Sequence, residues 1–277
     1  MARGLGVKPS SPFARVAMFV GCVIVGILVF VLSPGGGSEP IELYLVESVE
    51  AVAPFGGRSA ARRVVRKYSE AAQIDGELPD IGDDALKLKP AGRIVSIGAA
   101  HTRGLLHRGV WIFVLDPQQH VLVMKRSAAT VTCPGAWALV GEHSAPREAW
   151  DATARRGLRE ELGIAVEPSS LAQLGPPVLF RTDYKREGGL RAGYGEKQDA
   201  QATAFFVAFV DNATASQLRP DSEVADYRWK ALRELDADAR AAARGTLGFA
   251  TAFCNEPIRR LLVLGLKRLR ARLDSRP

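Results

Sequence analysis

An unbroken apolar run near the amino terminus is the feature that most limits how this chain can fold. Residues 16–32, VAMFVGCVIVGILVFVL, contain no charged and no strongly polar side chain. As a helix this run reaches about 25 Å, which is close to the lower limit for crossing a bilayer. It is longer than the apolar core of a signal peptide, and no convincing small-residue cleavage site follows it. The sequence therefore predicts a retained signal anchor, a single transmembrane helix over residues 16–33.

Charged residues on either side of this run predict its orientation. Arg3, Lys8 and Arg15 precede it, whereas acidic residues alone follow it until Arg58. Because an excess of Lys and Arg marks the cytosolic side, residues 1–15 are predicted to be a cytosolic tail and the rest to be lumenal or extracellular. The sequon that begins at Asn212 fits that side as a glycosylation candidate. An organellar targeting segment is the alternative, ranked second because such segments are amphipathic rather than continuously apolar.

The charge of the chain is positive but not concentrated. The 37 Lys and Arg residues exceed the 30 Asp and Glu residues by 7 and are spread along the sequence. No basic run is interleaved with aromatic residues, so we expect no nucleic-acid partner. Outside the apolar run, Cys133 and Cys254 are far apart in sequence, and they predict neither a disulfide framework nor a zinc site.

The segment between the anchor and residue 90 differs in pattern from the rest of the chain. Residues 34–90 open with a Gly-rich break and mix short apolar pieces with a basic and an acidic patch, which predicts a stalk or linker. Regular patterns start later, so residues 91–277 are predicted to form one α+β domain. Its predicted strands include residues 109–116, 120–126, 178–180 and 202–210, with one helix in mid-chain and one at the carboxyl end.

The mid-chain helix carries two adjacent carboxylates close to its end. Pro146 is a plausible start signal, and Gly163 is a plausible stop signal just after Glu160 and Glu161. Mg²⁺ prefers oxygen ligands, and one or two carboxylates together with substrate phosphates are enough to hold it. Gly157 is unusual inside this helix, because glycine costs about 1 kcal/mol relative to alanine there.

The spacing of these residues resembles the Nudix box, G-x5-E-x7-R-E-U-x-E-E-x-G-U, in which U is aliphatic. The matching positions are Glu148, Arg156, Leu158, Glu160, Glu161, Gly163 and Ile164. The resemblance to the Nudix superfamily implies an α/β/α sandwich with a mixed sheet and a diphosphate hydrolase that uses Mg²⁺ or Mn²⁺. It also implies that Glu160 and Glu161 are the metal ligands and that Arg156 and Glu148 form a buttressing ion pair, these four being the predicted catalytic residues.

Two positions depart from that pattern. Gly157 stands where the box has a glutamate after the arginine, and Glu142 stands where the box opens with a glycine. The loss of a carboxylate at position 157 removes a possible base or second metal ligand. A non-catalytic, diphosphate-binding domain is therefore one alternative to a hydrolase.

Beyond the box, the chain is most similar to the isopentenyl-diphosphate isomerase branch of the superfamily. The resemblance implies histidine metal ligands, and His101, His107 and His143 match those positions in order. The isomerase also needs a cysteine and a glutamate for proton transfer. Gly141 stands where the cysteine is expected, and Cys133 lies too early. An isomerase is therefore the second alternative, and it is disfavoured because no two-sided proton shuttle is evident.

Hydrolysis asks only for a metal, a positioned water and a base. The sequence leaves three acidic residues open as an extra ligand or base: Glu196, Asp199 and Glu223. The predicted partner is a small-molecule diphosphate, such as a nucleoside diphosphate derivative, in addition to the membrane contacted by residues 16–33. The candidate substrate-binding residues are His107, His143, Lys185, Arg186 and Glu196.

Overall fold

The computed structural model describes residues 38–50, 65–67, 85–243 and 249–275. The predicted anchor over residues 16–33 and the predicted tail before it lie outside these ranges. Within them, no helix combines the length and the apolar character needed to cross a membrane.

A mixed eight-stranded sheet forms the centre of the protein. Its central path runs β11-β5-β4-β10-β8, while β6 pairs with β5, β7 with β4 and β9 with β10. Strands β4 and β10 are parallel, and the other pairs are antiparallel. The strands are β4 (His107–Leu115), β5 (His120–Arg126), β6 (Trp137–Ala138), β7 (Val140–His143), β8 (Leu171–Gln173), β9 (Val178–Asp183), β10 (Gln198–Phe209) and β11 (Val224–Ala231). The predicted hairpin of β4 and β5 is confirmed.

Helices cover both faces of this sheet, which confirms the predicted α/β/α sandwich. The helices are α1 (Ile97–Arg103), α2 (Trp150–Leu162), α3 (Asn212–Ala215), α4 (Leu232–Ala243) and α5 (Glu256–Asp274). Leu158 and Leu162 of α2 pack with alternate residues of β4 and β10 on one face. Helices α4 and α5 pack on the other face, where Leu261 and Leu266 of α5 are fully buried. The sheet thus separates two apolar cores, as its alternating side chains require.

Helix α2 begins later than its start signal predicts but ends where its stop signal predicts. Its N-cap is Ala149, three residues after Pro146, and no side chain caps this end. Gly163 caps the other end with φ 68°, a left-handed conformation that glycine adopts without a steric penalty. The end of the helix is therefore fixed locally, which places the Glu160 and Glu161 carboxylates at the edge of β7.

Part of the predicted stalk belongs to the folded domain. Strand β1 (Pro40–Glu50) lies between β2 (Val65–Lys67) and β3 (Ala85–Ser96) in a separate antiparallel sheet. Ile41, Leu43 and Val46 of β1 are buried against helix α1 and strands β9 and β10. The compact unit accordingly includes β1 and β3. It reaches beyond the boundary predicted at residue 91, because the apolar pieces of β1 and β3 find partners too distant in sequence to form a recognisable pattern.

The two cysteines that the sequence leaves unpaired form a disulfide bond. Cys133 and Cys254 are 121 residues apart and are joined in the structure. The expectation that they are not bridged is wrong, because the fold brings the loop after β5 next to the start of α5. Gly189 lies against this bridge with φ 102°, and a Cβ atom there would overlap the sulfur of Cys254. The disulfide therefore joins the loop after β5 to the start of α5, and the loop between β9 and β10 packs against it.

Candidate active site

Arg156 organises the end of the α2 helix that faces β7. Its Nε and Nη2 donate to the two carboxylate oxygens of Glu148, both at 3.0 Å, so the predicted ion pair is present. Nη2 also donates to the carbonyl of His143 at 2.6 Å, which ties the helix to β7. These charged hydrogen bonds lower the pKa of Glu148 in spite of its partial burial. The pair positions the helix relative to the sheet, as a buttress should.

Glu160 and Glu161 occupy different environments although they are adjacent. The side chain of Glu160 is 48% exposed and accepts a hydrogen bond from Arg156 Nη1 at 3.1 Å. Glu161 accepts a hydrogen bond from the backbone N–H of Gly141 at 3.2 Å. Burial and the neighbouring carboxylate of Glu142 raise the pKa of Glu161 well above its usual range. A divalent cation would offset both effects, so the donor set suits the all-oxygen coordination of Mg²⁺ or Mn²⁺.

The three histidines predicted as a set converge on one point. His101 comes from α1, His107 from β4 and His143 from β7, and one ring nitrogen of each lies within 4.8 Å of the others. His107 is fully buried, and its Nδ1 is 2.9 Å from the carbonyl of Leu105. Because a carbonyl only accepts, this contact assigns the proton to Nδ1 and leaves the Nε2 lone pair free.

Asp199 of β10 completes this histidine cluster. Its Oδ1 lies 3.5 Å from Nε2 of His107 and 3.9 Å from Nε2 of His101. These three atoms are buried, and none of them has a hydrogen-bond partner. A cation among them would satisfy all three, and imidazole ligands favour Zn²⁺ or Fe²⁺ over Mg²⁺. His107 and His143, the candidate substrate-binding residues of the sequence, thus lie in a group that could hold a metal ion, and their role in substrate binding stays a prediction.

Burial determines the protonation of two of these histidines. It lowers the pKa of His101 to about 3, with further lowering by His107 and Lys197. It also lowers the pKa of His143 to about 3, again helped by the neighbouring rings. Both imidazoles are therefore neutral near pH 7, which is the form that coordinates a metal.

The metal-free protein is expected to lose stability in acid because of these two histidines. An unfolded histidine binds a proton below about pH 6.5, whereas folded His143 binds one only near pH 3, so the unfolded state gains protons within this window. The free energy of unfolding of the wild type, relative to His143→Asn, should fall by on the order of 1 kcal/mol per pH unit between pH 6 and pH 4. Urea titrations in EDTA measure this difference, and carboxylate contributions common to both proteins cancel. A constant difference would contradict the shift.

The structure discriminates among the three acidic residues that the sequence leaves open. Asp199 alone contacts the histidine cluster. Glu196 is exposed and pairs with Lys185 at 3.2 Å, while Glu223 is exposed and lies 3.9 Å from Arg126. Of the predicted substrate-binding residues, Arg186 pairs with its neighbour Glu187, also at the surface. The roles of Lys185, Arg186 and Glu196 in substrate binding stay predictions.

Three residues near the site are missed by the sequence analysis. Burial raises the pKa of both Glu161 and Tyr184 well above the usual ranges, and the charge of Arg126, at the end of β5, offsets part of this rise. The Tyr184 hydroxyl is buried and donates to Asp199 Oδ2 at 3.5 Å. Glu142 is noted in the sequence only as a departure from the box, yet its carboxylate lies 3.2 Å from Arg156 Nη1. The sequence does contain a signal for Glu142, because the glutamate at this position and the glycine at position 157 are two departures from the same Nudix box.

Comparison with known proteins identifies a family and several relatives for this chain. The family model of the NUDIX domain matches residues 105–247. Isopentenyl-diphosphate Delta-isomerase 2 of Aromatoleum aromaticum is 31% identical over 157 residues, which are 56% of this chain and 74% of that protein. Isopentenyl-diphosphate Delta-isomerase 1 of the same organism is 44% identical over 69 residues, 24% of this chain and 39% of that protein. A solved MutT protein from Methanosarcina mazei Go1 is 16% identical with a TM-score of 0.41, covering 60% of this chain and 95% of that one.

Proposed function

The chain belongs to the NUDIX family, and from that premise we propose that it is a metal-dependent enzyme that hydrolyses a diphosphate linkage in a small molecule, such as a nucleoside diphosphate derivative. The proposal rests on two groups of potential metal ligands, one of carboxylates and one of histidines, each of which has one member on strand β7. Glu142 and His143 are successive residues of this strand, so their side chains point to opposite faces of the sheet. The carboxylate group lies on the side of α2, and the histidine cluster lies on the other.

In this proposal, Glu160 and Glu161 hold Mg²⁺ or Mn²⁺ beside the diphosphate, and the histidine cluster holds a transition metal. A bound metal neutralises phosphate charge and lowers the pKa of a water molecule. Arg156 keeps the carboxylates in place through Glu148 and the carbonyl of His143. The exposed backbone of Gly141 separates the two donor sets and leaves room for a substrate.

Two features favour hydrolysis over isomerisation. Cys133, the free thiol candidate nearest in sequence to the site, is held in a disulfide. Gly141 stands at the position where a thiol is expected, and Asp199 faces His101 and His107 rather than an open substrate position. General acid–base transfer across both faces of a substrate therefore lacks one of its two groups.

An isomerase acting on isopentenyl diphosphate is the second candidate, because a relative that is 31% identical over 157 residues carries this name. A Cβ atom at Gly141 would lie 3.5 Å from Trp111 Cδ1, an ordinary contact, so Gly141→Cys fits the site. Deuterium incorporation from D₂O into isopentenyl diphosphate measures this activity. Exchange by the wild-type chain favours the isomerase, whereas exchange that appears only in Gly141→Cys favours the hydrolase.

The direct experiment is a substrate screen with the purified full chain. Nucleoside diphosphate derivatives and isopentenyl diphosphate are incubated with Zn²⁺ and either Mg²⁺ or Mn²⁺, and products are followed by ³¹P NMR. Hydrolysis of at least one diphosphate, dependent on the added metal, is the expected outcome. Metal-dependent binding of a diphosphate without turnover of any substrate would instead favour the third alternative, a non-catalytic binding domain.

The histidine cluster gives a separate prediction about metal binding. Asp199→Asn removes one charged ligand of nearly the same size, and the affinity for Zn²⁺ is expected to fall at least about tenfold. Competition with a chromophoric chelator measures this affinity. Asp226→Asn is the matched control, since Asp226 is exposed and its described contacts are with Arg228 and with the backbone N–H of Tyr227, away from the histidine cluster. Equal Zn²⁺ affinity in both variants would remove Asp199 from the site.

We further propose that residues 16–33 anchor the domain in a membrane, with the domain on the lumenal or extracellular side. The charge asymmetry of the sequence supports this orientation. The disulfide between Cys133 and Cys254 also supports it, because such bonds persist in oxidising compartments. Asn212 is exposed at the start of α3 and is accessible for glycosylation. Complete digestion of the domain by protease added to the cytosolic side of sealed vesicles would contradict the proposal.

A further inference from the structure

The two departures from the Nudix box touch each other in the fold. Gly157 lies on α2 and Glu142 on β7, fifteen positions apart. A Cβ atom added to Gly157 would lie 2.8 Å from Cβ and 3.3 Å from Cγ of Glu142. These are the inner atoms of the Glu142 side chain, so they cannot swing away as a flexible end does. A side chain at position 157 and a glutamate at position 142 therefore exclude each other.

The backbone elements that carry these two residues are held from both sides. Strand β7 pairs with β4 through residues 140–143. Helix α2 is fixed by the buried Leu158 and Leu162 and by the hydrogen bond from Gly141 N–H to Glu161. Separating the helix from the strand would break these contacts, so the conflict is relieved only by a glycine at one position. The box has its glycine at the strand position and its glutamate on the helix, and this chain has them reversed.

The reversal keeps a carboxylate among the acidic residues of the box. The Glu142 side chain is only 13% exposed, and its Oε1 lies 3.2 Å from Arg156 Nη1, which also contacts Glu160 at 3.1 Å. The charge of Glu142 is close enough to act on the carboxyl group of Glu161. Glu142, Glu160 and Glu161 therefore form one group of three carboxylates, of which Arg156 contacts Glu142 and Glu160 directly.

We propose that Glu142 supplies the third carboxylate of the divalent-metal site, from strand β7, in place of the glutamate that position 157 has lost. The inference rests on the proposed function, because it assigns a further ligand to the same metal. Glu142 then binds the same ion as Glu160 and Glu161, through carboxylate oxygen atoms of the kind that Mg²⁺ and Mn²⁺ prefer. The absence of a side chain at Gly157 provides the space that the Glu142 side chain requires. A glutamate introduced at position 157 alone would clash with Glu142 and would not add a ligand.

The steric exclusion between positions 142 and 157 is tested by measuring the Tm of thermal unfolding in EDTA. Gly157→Ala is expected to lower Tm by on the order of 5 °C, because its Cβ overlaps Glu142. In a Glu142→Gly background, the same change should raise Tm slightly, because alanine is the better helix residue. This reversal of sign is the expected result. An equal effect of Gly157→Ala in both backgrounds would overturn the steric exclusion.

The metal half is tested by Mn²⁺ binding, measured by electron paramagnetic resonance with one equivalent of Zn²⁺ present. Zn²⁺ binds nitrogen ligands more tightly than Mn²⁺, so it fills the histidine cluster and leaves the carboxylates for Mn²⁺. Glu142→Gln keeps the size of the side chain and is expected to weaken Mn²⁺ binding at least about tenfold. The double variant Glu142→Gly/Gly157→Glu is expected to bind Mn²⁺ within about threefold of the wild type, whereas Gly157→Glu alone does not.

The outcomes separate this inference from the proposed function. If Glu161→Gln weakens Mn²⁺ binding and Glu142→Gln does not, the role of Glu142 is overturned and the proposed function stands. If the wild type binds no Mn²⁺ once Zn²⁺ is present, the carboxylate site and the proposed function both fail. Glu234→Gln on the exposed side of α4 is the control for the loss of one surface charge.

Discussion

Glu161→Gln is expected to lower the rate of diphosphate hydrolysis by roughly three orders of magnitude, the size of effect seen when one fixed electrostatic group is removed from a catalytic site. The substitution keeps the shape of the side chain and its hydrogen bond from the Gly141 N–H. It removes the negative charge that holds the metal beside the substrate. Measurement of kcat at saturating Mg²⁺ or Mn²⁺, with the substrate found in the screen, tests this result.

A stability measurement distinguishes this functional role from a structural one. Burial and the charge of Glu142 raise the pKa of Glu161, so the metal-free fold loses stability as the pH rises above the ordinary pKa of a glutamate in the unfolded chain. Replacing it with a neutral amide should therefore increase the free energy of unfolding in EDTA at pH 8 while activity is lost. Glu234→Gln, which removes an exposed charge on α4, should change neither quantity. Wild-type activity in Glu161→Gln would exclude Glu161 from the site.

Removal of the disulfide is expected to have the largest effect on stability. The bond between Cys133 and Cys254 closes a loop of 121 residues, and its loss in a Cys133→Ser/Cys254→Ser double variant should cost about 4 kcal/mol. The cause is the greater conformational entropy of the unfolded chain when the loop is open. Urea titrations of the wild type and the double variant measure the difference.

Reduction provides the internal control for this prediction. A reductant should lower the stability of the wild type to that of the double variant and leave the double variant unchanged. Asn255, beside Cys254, donates hydrogen bonds to Thr182 and to the carbonyl of Gly188, so the loop between β9 and β10 keeps other contacts with α5. We therefore expect a folded but less stable protein. Equal stability of the wild type and the double variant in the absence of reductant would show that the bond does not constrain the unfolded chain.

The amino-acid sequence by itself determined the features that depend on local spacing. The ion pair of Arg156 and Glu148 is implied by the resemblance of their spacing to the Nudix box, and the structure contains it. The end of α2 at Gly163 follows from the conformation that glycine permits. The hairpin of β4 and β5 and the terminal helix follow from apolar periodicity. The three histidines were identified by their order in the chain, but their meeting point was not.

Only the tertiary structure decided which distant residues meet. It selected Asp199 over Glu196 and Glu223, joined Cys133 to Cys254, and added β1 and β3 to the folded domain. None of these contacts has a periodicity, because each depends on the path of the whole chain. The contact of Glu142 with Gly157 belongs to the same class. In the sequence these two residues are separate departures from one motif. In the fold, the Glu142 side chain occupies the space that Gly157 leaves empty. Strand β7 and helix α2 approach too closely at this point for both positions to carry a side chain.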